Sequence, residues 1–154
     1  MPLSLANLSM DYRETITGLY YLLIGADGTV NEKELQLGKK MIATEGFDEQ
    51  RFEASLNSFK TRNKESIYND CIIGLRKLDV KKRIRSISWL CVIANSDGFM
   101  DKEEWMLIYK IYDNELSLPL DEILKTQKEL NKMLYGKEFL SFGVKIEDKK
   151  VNWF

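Results

Sequence analysis

Two short acidic phrases carry the strongest chemical signal in this chain. ADGTVNEKE runs from Ala26 to Glu34, and SDGFMDKEE from Ser96 to Glu104. Aligned at an offset of 70 residues, both read Asp-Gly-x-apolar-[Asn/Asp]-x-x-Glu. The carboxylates of Asp27, Glu34, Asp97, Asp101 and Glu104, with the turn carbonyls, form an all-oxygen donor set. Hard oxygen sets select Ca²⁺, Mg²⁺ or Mn²⁺ over zinc or copper. The phrase is not an EF-hand, whose glycine comes sixth in a loop of alternating acids; here glycine directly follows the first acid. Each corner alone offers too few groups for the six to eight oxygens that Ca²⁺ takes. An isolated corner should therefore bind weakly, on the order of 10⁻⁴ to 10⁻³ M, and more tightly only if the two converge.

The same residues also have a purely structural reading. Gly28 and Gly98 follow apolar periodic runs, where a helix stops on a residue of positive φ. Asn31 and Asp101 suit the N-cap of the next helix, and Glu34 and Glu104 take the reach-back position of a capping box. Val30 with Leu35, and Met100 with Trp105, have the spacing of hydrophobic staples. Asp27 and Asp97 are left over. A negative charge at a helix C-terminus opposes the dipole by about 0.3–1 kcal/mol. Either these aspartates bond to the free N–H groups of the following helix, or they are ligands.

The elements that must hold these corners are helices. With two prolines, Pro2 and Pro119, and long 3.6-residue periodicities, the chain is expected to be all-α. About seven helices are predicted in two pseudo-repeated halves: 11–26, 32–45, from Asp48, from Asn63, 80–96, from the second corner, and from Pro119 at a first helical position. Helix 80–96 is apolar almost all round and should be the most buried. A helical domain is expected over 1–136, followed by a tail over 137–154. In that tail Leu140, Phe142, Val144 and Ile146 alternate with polar residues, so it is expected to be extended. Such an edge would lie on the helical body or on a second chain.

Composition narrows the function. There is no histidine, which removes the usual general base near neutral pH. No Ser or Cys motif supports nucleophilic catalysis. Cys71 and Cys91 sit singly in apolar helical patterns and read as buried free thiols, consistent with a reducing compartment. The net charge of -1 gives no general attraction for a polyanion. The run Lys81, Lys82, Arg83, Arg85 lacks interleaved base-reading residues, so nucleic acid is not expected as a partner. The N-terminus does not read as a signal peptide, and no apolar stretch is long enough to span a bilayer.

The paired (Ala/Ser)-Asp-Gly-x-x-x-x-x-Glu phrases and the EGFDEQ turn at 45–50 resemble the tellurite-resistance TerB family over roughly Asp11 to Leu134. The resemblance implies an all-α domain of two related halves whose corner acids bind divalent metal, here Asp27, Glu34, Asp97 and Glu104. It implies a role in tellurite and general stress resistance, in cytoplasmic or membrane-associated complexes with other proteins. Two departures weaken the first corner as a cation site: Asn31 stands where the second copy has Asp101, and Lys33 where it has Glu103. The expectation is a non-catalytic, metal-binding interaction module of the cytoplasm. A metal-dependent hydrolase and a metal-free helical adaptor are the alternatives.

Overall fold

A computed structural model describes residues 10–26, 30–96 and 100–150, with the backbone alone from residue 136. Its seven helices are α1 Tyr12–Ile24, α2 Glu32–Thr44, α3 Glu49–Phe59, α4 Lys64–Lys77, α5 Val80–Ala94, α6 Lys102–Tyr109 and α7 Leu120–Lys150. A π-helical turn, Lys110–Glu115, continues α6. There are no strands among the described residues. Each of α1 to α6 starts on an Asp or Asn whose side chain accepts from a backbone N–H of the first turn: Asp11, Asn31, Asp48, Asn63, Asp79 and Asp101. Without such caps those donors would lack partners. Pro119 lies one residue earlier than expected: its carbonyl accepts from Ile123, and the helix begins at Leu120.

The core lies around α1 and α5. α1 packs on α3, α4 and α5, and α5 on α7, α2 and α6. Trp89, Cys91 and Ile93 of α5 are all buried, as its apolar circumference requires. Close approach is made by glycines. A Cβ on Gly18 would lie 2.7 Å from the Cys71 sulfur, and one on Gly74 would overlap the Thr15 hydroxyl, so α1 and α4 cross nearly backbone to backbone. A Cβ on Gly38 would enter the Tyr20 ring, which lies across α2 and donates its hydroxyl to the Glu34 carbonyl at 3.1 Å.

The two halves are related, but not at one fixed offset. Up to Tyr112 the shift is 70 residues: Ile42 aligns with Tyr112. Beyond it the shift is 71. Gly46 (φ 75°) then matches Ser117 (φ 51°), Phe52 matches Ile123, and Phe59 matches Leu130; the last two pairs are buried. One inserted residue becomes the π turn, as single insertions in helices do. The same end bond survives the insertion: Phe47 N donates to Ile42 O at 2.9 Å, and Leu118 N to Tyr112 O at 2.8 Å. Glu115 fastens the π turn to α4, accepting from Tyr68 at 2.8 Å and Arg76 at 3.2 Å.

The expected extended tail over 137–154 is corrected: the backbone is helical through Lys150. Residues 151–154 lie outside the described residues. Alternating apolar residues cannot form a sheet without a partner strand, whereas a helix already nucleated at Leu120 needs only propagation. Gly136 and Gly143 oppose that by about 1 kcal/mol each.

At the far end of α2, Glu45 collects three donors on one buried carboxylate. Arg85 binds it in a fork at 2.6–3.0 Å, Tyr12 Oη donates at 2.7 Å, and Trp89 Nε1 at 3.1 Å. Burial pushes Glu45 up, but the Arg85 and Tyr12 hydrogen bonds, the Arg85 charge and Trp89 outweigh it, and the carboxyl is held below its ordinary value. Two more residues of the basic run, Lys82 and Arg83, are also engaged within the fold. Arg83 donates to the last carbonyls of α4, from Leu75 and Arg76, and Lys82 lies 5.2 Å from the Tyr12 ring centre.

Two outcomes follow. Gly38→Ala forces the Tyr20 ring off its seat and should cost about 1–3 kcal/mol in urea denaturation. Glu45→Gln should cost about 2–4 kcal/mol at pH 7, because it leaves Arg85 half-buried without its anion. A lowered folded pKa stabilises above the unfolded value of about 4.3 and is lost as pH falls through the folded one. The gap between wild type and Glu45→Gln should therefore narrow as pH drops below about 4.

Candidate metal centre

Both corners carry complete capping boxes. In the first, Glu34 N donates to Asn31 Oδ1 at 2.8 Å and Asn31 N to Glu34 Oε1 at 3.2 Å. In the second, Glu104 N donates to Asp101 Oδ1 at 2.9 Å and Asp101 N to Glu104 Oε1 at 3.5 Å. The staple residues differ: Val30 and Leu35 are both exposed, whereas Met100 is buried and Trp105 packs against the core.

The tertiary structure brings the corners together. Glu34 and Glu104, 4% exposed each, meet side chain to side chain, and Glu104 also reaches Asp101. Burial raises the Glu104 pKa, and the hydrogen bond to Glu34, the Asp101 and Glu34 charges and the Asp101 hydrogen bond raise it further, well above the carboxylate range. Two carboxyls that share a site cannot both ionise easily, so the pair favours holding a proton when no cation is bound. Tyr20 closes one side through its bond to the Glu34 carbonyl. Burial and the Glu34 charge push its hydroxyl up, so it remains a donor.

Of the five expected ligands, Glu34 and Glu104 meet, and Asp101 neighbours Glu104. Asp27 and Asp97 lie outside the described residues. Among the described residues no group of three or more His, Cys, Asp or Glu side chains is arranged to hold a metal ion. The chemistry nevertheless fits a hard cation in part. The donors are all carboxylate oxygens, they come from both halves, and each glutamate commits Oε1 to its cap. Glu103, which distinguished the second corner in the sequence, is exposed and stands apart from the pair.

The sequence reading missed two features. Asn95, in the turn that leads from α5 into the second corner, is 4% exposed; its amide donates to Cys91 O at 2.9 Å, while its Oδ1 has no partner. An asparagine after an apolar helix reads as an ordinary C-cap, so nothing marked it. The Glu45 cluster was also unseen. Its one signal is a glutamate at a helix C-terminus, the same dipole-opposed placement noted for Asp27 and Asp97.

Glu104→Gln tests the raised Glu104 pKa. A raised folded pKa contributes stability fully below the unfolded value, about 4.3, and loses it as pH rises through the folded value. In chelator, wild type should weaken from pH 5 to pH 8 relative to Glu104→Gln. At pH 8 the variant should be more stable by about 1 kcal/mol or more, since glutamine still completes a capping box and carries no charge. Urea denaturation at stepped pH measures this. A variant less stable at every pH would show that the pair is not under charge strain.

Comparison with known proteins adds one match. The family model described as tellurite resistance protein TerB matches residues 13–123. No curated protein and no solved structure matches the chain. The matched span covers well over half of the sequence, includes both capping boxes and the Glu34–Glu104 contact, and ends at Ile123 in the first turn of α7. The protein is a member of the TerB family.

Proposed function

We propose that this protein is a non-catalytic stress-response module of the tellurite-resistance type, whose paired corners bind one divalent cation. One observation supports the reading most: Glu34 and Glu104, from separate halves, are buried against each other. Structural needs explain a capping glutamate. They do not explain two of them turned on one another at a cost in charge repulsion. Glu34, Asp101 and Glu104 would hold the ion together with Asp27 and Asp97. Bound there, a cation supplies positive charge that neutralises the cluster and ties the two halves together. Its affinity would then add directly to folding stability.

The module would act through other proteins of a stress-response complex in the cytoplasm, including membrane-associated ones, as the family resemblance implies. No described helix is long and apolar enough to cross a membrane. The metal-free adaptor is kept as a second reading, because both glutamates are already engaged as caps. No observation favours a hydrolase over these two.

Calorimetry with Ca²⁺, Mg²⁺ and Mn²⁺ on wild type, Asp27→Asn, Asp97→Asn and Glu104→Gln separates the readings. With the corners converged, wild type should bind with Kd on the order of 10⁻⁵ to 10⁻⁴ M, and each variant at least about tenfold more weakly. Glu104→Gln should then reverse its sign: more stable than wild type in chelator, less stable in saturating ion. No binding heat in wild type at millimolar ion would leave the acids as caps. Equal binding by all four proteins would place the cation elsewhere.

A further inference from the structure

One cavity of the fold has charged walls. It has a volume of about 420 Å³, within the range of small-molecule sites, and lies between the first turns of α5 and those of α7. The charged groups of the α5 wall are all cations: Lys81, Lys82 and Arg85. The α7 wall is mixed. Glu122, Lys125, Thr126 and Glu129 fall at i, i+3, i+4 and i+7, and so share one side of that helix.

The fold does not account for all of these charges. Each of the other six helices carries an acid in its first turn, as the helix dipole favours. α5 carries none, and has Lys81, Lys82 and Arg83 there instead. Arg83 serves the end of α4, Lys82 lies over the Tyr12 ring, and Arg85 gives Nε and Nη2 to Glu45. Lys81 and Lys125 form no ion pair among the described residues. Two lysines from different helices thus border one cavity with no acid in reach. Arg85 is fixed beside them by its fork on Glu45, with 34% of its side chain still exposed. A wall held in place by the fold costs a ligand little ordering.

The chemistry of the walls selects the ligand. Several cations around one cavity suit a dianion with several acceptor oxygens better than a lone carboxylate. A bare phosphate would leave most of the cavity empty, and Glu122 and Glu129 border it as well. The rest of the ligand must therefore offer hydrogen-bond donors, which hydroxyls do without adding charge. The same two glutamates repel a phosphate chain that continues past the site, which disfavours nucleic acid. We propose that this cavity binds a phosphorylated polyol, with the phosphate on Lys81 and Lys125 and the hydroxyls on Glu122 and Glu129. None of these residues belongs to a capping box, so the site is independent of any cation at the corners.

Amide chemical-shift titrations of the full chain test it, in chelator so that no cation can hold the phosphate. The probes are glucose 6-phosphate, glucose and inorganic phosphate. Wild type should bind the ester at least about tenfold more tightly than either of the other two, with shifts centred on the first turns of α5 and α7. Lys81→Glu and Lys125→Glu should each weaken the ester at least about tenfold and keep the wild-type melting curve, since both lysines are exposed. Glu122→Gln should narrow the preference for the ester over inorganic phosphate. A second arm measures co-sedimentation with phosphatidylcholine vesicles, with and without phosphatidylinositol 4-phosphate. Binding of the free ester assigns a soluble ligand. Binding only to the doped vesicles, lost in both lysine variants, assigns the same chemistry to a lipid headgroup. No binding in either arm overturns the proposal, as does binding that survives in either lysine variant. Glucose or inorganic phosphate held as tightly as the ester overturns it too, since one wall would then have no part in recognition.

Discussion

Two helix N-termini in this protein are capped by glutamates that point at one another inside the fold. A capping box needs its glutamate near the N-cap backbone, and in this fold both such residues are buried. The consequence is a repulsion that, with burial, pushes the Glu104 pKa up. Several other features have the effect of holding this contact in place. Gly38 admits Tyr20 across α2, and Tyr20 bonds the Glu34 carbonyl. The Glu45 cluster joins the far end of α2 to α1 and α5. α2 is thus fixed at both ends, and Glu34 has little freedom to withdraw.

The duplication explains both the likeness of the halves and their differences. The capping boxes repeat faithfully, because capping depends on a few local residues. The parts beyond it diverge. One inserted residue in the second half is absorbed as a π turn, which keeps the end-of-helix bond and sets Ser117 where Gly46 stands. A serine in the left-handed region is less comfortable than glycine, and the bonds from Glu115 to α4 help to hold the turn that leads to it. After the insertion Leu56 corresponds to Gln127, whose side-chain N and O are buried and have no partner in the structure.

Part of the charge in this chain is spent on architecture. The basic run on α5 looks like a surface feature when read linearly, yet Arg85 serves Glu45 and Arg83 serves the end of α4. Such buried and half-buried pairs add less to net stability than to specificity of packing, since desolvation offsets much of the attraction. They also explain why neither composition nor net charge points to a partner.

The sequence by itself determined the helices, their caps and the duplicated corners. These depend on neighbours within about four residues: an Asp or Asn cap, a glutamate three positions on, and an apolar stripe at 3.6-residue spacing. It also marked α5 as central, because a helix apolar on every side has no face to offer to water. The identity of Asn31, Asp101, Glu34 and Glu104 as caps was legible for the same reason. Only the tertiary structure decided that Glu34 and Glu104 touch, 70 residues apart, for no local pattern encodes which faces of two helices will pack. It decided likewise that Glu45 gathers Tyr12, Arg85 and Trp89 from α1 and α5. The end of the chain was misread for a related reason: a short apolar alternation fits a strand or a helix equally, and the choice fell to α7, which was already formed and needed only to be extended.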